Sequence, residues 1–148
     1  MIRKWQSDNA DPLLRLWLES TTEAHPFINA NYWKENESMV RDVYLPAAET
    51  WVWEEDGIPR GFISVMQSQF VGALFVSTPF IGKGIGQALL NHVQQRFPYL
   101  SLEVYQKNVR AVNFYHAQGF RIEDSAWQDD TQHPTWIMSW QADQTPSE

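Results

Sequence analysis

An apolar run, Phe70 to Val76, leads through Ser77-Thr78-Pro79-Phe80-Ile81 into three glycines, Gly82, Gly84 and Gly86. A stretch with Ile85, Leu89 and Val93 on one helical face follows at once. The pattern predicts a strand, a glycine turn and a helix. Glycine adopts backbone angles that other residues avoid, so the turn can bring N–H groups close to a ligand. The first helical turn has N–H groups without intrahelical acceptors, and the dipole makes that end slightly positive. A phosphate or pyrophosphate suits such a junction, and a tight turn with no ligand accounts for the same residues.

Two nucleotide motifs fit poorly. A P-loop carries Lys-Ser or Lys-Thr after its second glycine, whereas Gly86 precedes Gln87-Ala88. A dinucleotide fingerprint spaces its glycines differently and has an acid about twenty residues on. At that distance stands Glu103, inside an apolar strand.

A second segment, Asn108 to Phe120, predicts a helix with legible ends. Asn108 is the N-cap, Ala111, Phe114, Tyr115 and Gln118 share a face, and Gly119 sits at C′. Together the two segments resemble the GNAT superfamily of acyl-CoA-dependent N-acyltransferases. That family's glycine loop reads Gln/Arg-x-x-Gly-x-Gly/Ala, and its later helix reads Asn-x-x-Ala-x-x-Phe-Tyr-x-x-x-Gly-Phe. Asn108, Ala111, Phe114, Tyr115, Gly119 and Phe120 match every named position of the second motif. Gly84 and Gly86 match the first, while Ile81 stands where the family favours Gln or Arg. That departure removes a side-chain contact and leaves the backbone donors. The resemblance spans residues 2–140, and its specific part is residues 74–120.

The resemblance implies an α/β fold: a mixed, largely antiparallel sheet of six or seven strands, about four helices, and splayed central parallel strands. It implies acetyl-CoA as co-substrate, on the loop and helix start formed by Gly82, Lys83, Gly84, Ile85, Gly86 and Gln87. The pantetheine arm would bond Leu74, Phe75 and Val76 of the preceding strand, and Asn108. Tyr115 would be the general acid for the departing thiolate; packing alone also explains it. Leu102-Glu103-Val104 resembles the ribosomal-protein alanine acetyltransferases, in which a glutamate here acts as base. If Leu102 and Val104 point into the core, Glu103 faces the opposite side. A salt-bridged strand glutamate is the alternative. The family's acceptor channel would involve His25, Phe27, Tyr32, Trp33 and Trp127, with Asp129, Asp130 and His133 nearby. Aromatic and acidic groups suit a cationic amine.

Length and composition narrow the function further. The chain has 148 residues, and one domain over residues 1–141 with a polar tail over 142–148 is expected. With 11 basic and 18 acidic side chains the net charge is −7, which argues against nucleic acid or an anionic membrane as partner. The absence of cysteine removes disulfides and a thiolate nucleophile, so acyl transfer would be direct. The histidines at 25, 92, 116 and 133 lack metal-ligand spacing, and no metal is expected. No long apolar run follows Met1-Ile-Arg-Lys-Trp5 and no stretch could span a bilayer, so a cytoplasmic protein is expected.

The sequence reading is therefore an N-acetyltransferase for a primary amine: a protein lysine, an N-terminus or a small molecule. A non-catalytic acyl-CoA sensor on the same fold and an unrelated phosphate-binding module are the alternatives. The remaining elements are predicted as strands at residues 2–6, 50–54, 60–68, 100–105, 120–127 and 135–140. Helices are predicted from Asp8 or Asp11, with Leu13, Leu14, Trp17 and Leu18 inward, and over residues 29–45, stopped by Pro46.

Overall fold

The computed structural model describes residues 1–6 and 9–142. Asp8 as a helix start and the tail beyond residue 142 lie outside the described residues. The strands are β1 (Ile2–Lys4), β2 (Ala48–Glu55), β3 (Ile58–Met66), β4 (Phe70–Val76), β5 (Tyr99–Tyr105), β6 (Arg121–Gln128) and β7 (His133–Gln141). They form one seven-stranded sheet in the order β1-β2-β3-β4-β5-β7-β6. All neighbours are antiparallel except β4 and β5. These two share a single pair, Phe70 with Ser101, and then part. The mixed sheet with splayed parallel strands is the architecture the sequence predicted.

Strand alternation assigns the two faces. Ile63, Val71, Leu100, Leu102 and Val104 pack with Ile85, Leu89 and Val93 of α5 (Ile85–Gln94) and Tyr115 of α6 (Val109–Ala117). On the other face Val52, Phe62 and Ala73 meet Leu13, Leu14 and Trp17 of α1 (Asp11–Ala24). Leu89, at 0% exposure, marks how tightly the first core closes. Cutting such a leucine to alanine typically costs about 2–5 kcal/mol.

The segment after α1 departs from the long helix predicted over residues 29–45. Asn29 caps α2 (Ala30–Glu35) by accepting from Asn31 N at 2.8 Å. Asn36 then bonds back, its Nδ2 donating to the Tyr32 carbonyl at 2.7 Å, and α2 ends. Short α3 (Glu37–Met39), a π-turn over Val40–Tyr44 and α4 (Leu45–Ala47) follow. Pro46 lies inside α4 instead of stopping the path before it. A proline in a first turn removes a donor that would be orphaned anyway. Farther on, Gln67 and Ser68 have φ of 55° and 59°, so β3 ends at Met66 and not at residue 68.

Candidate active site

Glu103 lies in β5 between Leu102 and Val104, both in the α5–α6 core, and so faces the α1–α2 side. Its Oε2 accepts from Thr135 Oγ1 and from Gln128 Nε2, each at 2.6 Å. Both donors come from the β6–β7 pair, so the sheet itself orients the carboxylate. Among the described residues no cation pairs with Glu103, which removes the salt-bridge alternative.

An aromatic cluster forms around Tyr105, two residues along β5 from Glu103 and on the same face. The His25 ring lies 5.2 Å from both the Tyr105 and Trp33 rings and 5.7 Å from Phe27. Phe27 is 5.0 Å from His133, and Tyr32 is 5.0 Å from Trp33. His133 Nε2 donates to the Phe27 carbonyl at 3.2 Å, tying β7 to the turn after α1. His25 ends α1, where its Nδ1 meets the Thr21 carbonyl at 2.8 Å. A carbonyl only accepts, so Nδ1 carries the proton and Nε2 is the basic nitrogen. Burial pulls the His25 pKa below the usual range, partly opposed by the Thr21 bond. Burial first, then the charges of Glu103 and Asp130, push the Tyr105 phenol up, against a lowering hydrogen bond from Thr131.

On the opposite side, Gly82 and Gly84 both take φ of 86°, and Gly84 caps α5 in the left-handed region. A Cβ at either would meet nothing within 4 Å, so open space lies above the loop. Gly86 differs: its missing Cβ would touch Phe114 at 3.6 Å and Val76 at 3.7 Å, and it seats the helix against β4 and α6. The Lys83 ammonium is 5.6 Å from the Phe80 ring centre, and the Arg60 guanidinium is 4.6 Å from the same ring. Asn108 Oδ1 accepts from Ala111 N at 3.3 Å and caps α6.

Tyr115 is buried on α6 beside Phe114 and Phe120, at ring separations of 5.3 and 5.6 Å. Burial raises its pKa above the tyrosine range, so the hydroxyl stays a donor. Tyr115 belongs to the α5–α6 face and Glu103 to the α1–α2 face. Between the two faces the sheet is held by a single β4–β5 pair, Phe70 with Ser101.

Residues 11–133 match the acetyltransferase (GNAT) domain. The chain belongs to the GNAT acetyltransferase family. It is 58% identical to the peptidyl-lysine N-acetyltransferase YiaC of Escherichia coli, with 98% of this chain and 99% of that one covered. The solution structure of apo-form YjaB from Escherichia coli has a TM-score of 0.81 and 30% identity, over 95% of this chain and 96% of that one. A GNAT acetyltransferase from Elizabethkingia anophelis, solved with acetyl-CoA bound, shares the fold with a TM-score of 0.71 and 15% identity, over 95% and 97% of the chains.

His25, Phe27, Tyr32 and Trp33, expected in the acceptor channel, lie together in the ring cluster that includes Tyr105. Trp127 does not join them. Gln128 reaches Glu103, so its neighbour Trp127 points to the other face of β6, where it is 54% exposed. Trp127 is thus withdrawn from the acceptor group. Four residues, Tyr105, Thr135, Gln128 and Arg60, escaped the sequence reading. Tyr105 is two positions from Glu103, and strand periodicity already put it on the same face. Thr135, Gln128 and Arg60 gave no local signal; sheet register brings the first two to Glu103, and the β3–β4 pairing brings the third to the glycine loop. Within α6, Val112 is buried with Tyr115, while Ala111 and Phe114 are only partly covered.

Proposed function

We propose that this acetyltransferase moves the acetyl group of acetyl-CoA directly to the ε-amine of a lysine in a polypeptide. The observation that carries the reading is the Glu103 carboxylate, oriented by Thr135 and Gln128 on one face of the sheet, with the protonated Tyr115 in the α5–α6 layer on the other. The name of the 58% identical relative supports lysine as the acceptor. Aromatic walls favour a cationic amine, and Lys107 already sets its ammonium 5.8 Å from the Phe27 ring centre.

The residues present fit acetyl-CoA. Gly82 and Gly84 open the loop to a pyrophosphate, and Lys83 and Arg60 stand beside it. Arg60 Nε is buried without a partner, and a phosphate oxygen would supply one. Arg60 and Lys83 offset the missing Gln or Arg at Ile81. Leu74, Phe75 and Val76 lie beyond the single β4–β5 pair, where their strand edge is available to the pantetheine amides. Gln87 and Ile85, in the first turn of α5, and Asn108 complete the cofactor side. Acetyl-CoA supplies the activated thioester.

The rest of the chemistry falls to the chain. A lysine near pKa 10.4 requires about 4.6 kcal/mol to be neutral at pH 7. Glu103 takes that proton, through Oε1, since Oε2 holds Thr135 and Gln128. A backbone N–H on the β4 edge would steady the carbonyl oxygen. The nitrogen's second proton passes to solvent as the tetrahedral adduct collapses, the Tyr115 hydroxyl gives a proton to the leaving sulfur, and solvent restores Glu103 and Tyr115. With no cysteine in the chain, no acyl-cysteine intermediate intervenes. To test this, a peptide with a blocked N-terminus and one lysine is incubated with acetyl-CoA while free thiol is followed. Thiol release with ε-acetylation supports the reading; acetylation of free α-amines or small amines alone overturns lysine as acceptor.

A further inference from the structure

A cavity of about 190 Å³ lies on the Glu103 side of the sheet. Leu13, Leu14 and Trp17 wall it, Trp33 and Tyr44 close its flanks, and Phe62 belongs to its floor. None of its lining residues is charged. An apolar cavity of about 150 Å³ takes up benzene, so this one has room for roughly six non-hydrogen atoms.

Two donors in its wall have no acceptor: Trp33 Nε1 and the Tyr44 hydroxyl are buried and unpartnered. A buried donor without a partner is unfavourable, and native structures rarely leave two together. The Tyr44 hydroxyl rests against Gly72, where an added Cβ would stand 1.8 Å from it. Gly72 is the residue left over when Ser64 pairs with Ala73 and Val65 with Val71. A β-bulge thus makes the seat for this hydroxyl, just past the point where β4 and β5 part. Burial raises the Tyr44 pKa, so it remains a donor.

The cavity opens beside α3, where Met39 is 47% exposed. Trp33 belongs both to its wall and to the aromatic cluster. The Trp33 and Tyr105 rings each lie 5.2 Å from His25, so the cavity is within about three residues of extended chain from Tyr105. We propose that this cavity anchors a side chain flanking the target lysine, one that joins an apolar stem to an uncharged hydrogen-bond acceptor, glutamine or methionine in kind. The occupant rests on the lysine reading above. Guanidinium finds no acceptor there, and a carboxylate finds two neutral donors but no cation to offset its buried charge, so both are disfavoured against a neutral acceptor.

The test uses single-lysine peptides with blocked N-termini and alanine at the three positions on either side. Each alanine is replaced in turn by Gln, Met, Glu or Arg, and kcat/KM is measured. Gln or Met at one position should raise kcat/KM about tenfold over alanine, a difference of about 1.4 kcal/mol, while Glu and Arg give no gain. Val40→Trp, which fills the cavity, should bring that ratio close to one. If it does not fold by circular dichroism, Met39→Trp at the exposed mouth takes its place. Tyr44→Phe should reduce the glutamine ratio. A flat response at every position, or a preference that survives the filled cavity, overturns the proposal. Failure of every peptide, the alanine one included, sinks the lysine reading and the anchor with it.

Discussion

Thr135 holds Glu103 from a neighbouring strand. Its buried hydroxyl donates to Oε2 at 2.6 Å, and Gln128 donates to the same oxygen. Thr135→Val keeps the shape of the side chain and removes one donor. A hydrogen bond to a charged group contributes about 1.5–3 kcal/mol, so a carboxylate freed to swing should lower kcat/KM about tenfold. The KM for acetyl-CoA should stay level, since the loss is on the amine side. Steady-state kinetics with each substrate varied checks this.

Glu103→Gln preserves hydrogen bonding and removes basicity. Its deficit should shrink as pH rises, because solution supplies more of the neutral amine. For a lysine acceptor the recovery should continue to pH 9 and beyond, and for an α-amine it should be nearly complete by about pH 8. Parallel kcat/KM profiles for the two proteins would remove Glu103 as the base.

Tyr115→Phe keeps the ring between Phe114 and Phe120, so the fold should persist. The rate should drop by roughly 10²-fold. Because burial raises the native phenol, the wild-type enzyme should not lose its acid by ionisation below about pH 10. An alkaline fall in kcat near pH 8 or 9 would need another source. Full turnover by the variant would return Tyr115 to a packing role.

Gly84→Val forces a β-branched residue into φ of 86°, a strain of about 1–2 kcal/mol, and should weaken acetyl-CoA binding by more than that strain alone. The protein leaves open space there, so any steric block falls on the ligand. Calorimetry on the folded variant decides it. Unchanged affinity would mean that the loop is a turn and nothing more.

His25 gives a pH dependence of stability with a definite sign. Its folded pKa is depressed by burial, so below about pH 6.5 the unfolded chain binds the extra proton. Its contribution is therefore complete above that pH and is lost as pH falls through the folded pKa. The urea midpoint of the wild type should decline between pH 7 and 5 more steeply than that of His25→Gln. His92 is also depressed, by burial and then by Arg96, so both proteins retain its share of the decline.

The loop and helix geometry of the proposed cofactor side was legible because it is local. Gly82, Gly84, Asn108 and Tyr115 lie in two short segments whose turn and cap chemistry can be read along the chain. Glu103 was legible through strand alternation. The acceptor half was less so. Thr135 and Gln128 meet Glu103 only through sheet register, and the face shown by Trp127 follows from the β6–β7 pairing. The path from Asn29 to Ala47 was misread because Asn36 and a π-turn break its period before Pro46 is reached.

The lone rung between Phe70 and Ser101 has a mechanical consequence. The block β1–β4 and the block β5–β7–β6 are joined along their seam by that rung and by the α5–α6 core packed beneath it. Each block has an unzipped inner margin, much like two panels on one hinge pin. A thioester whose amides bond to the β4 margin would act as a temporary extra strand and stiffen the hinge. Amides of β4 beyond Phe70 should then exchange with deuterium more slowly once acetyl-CoA is added, while those of the β2–β3 ladder stay as they were.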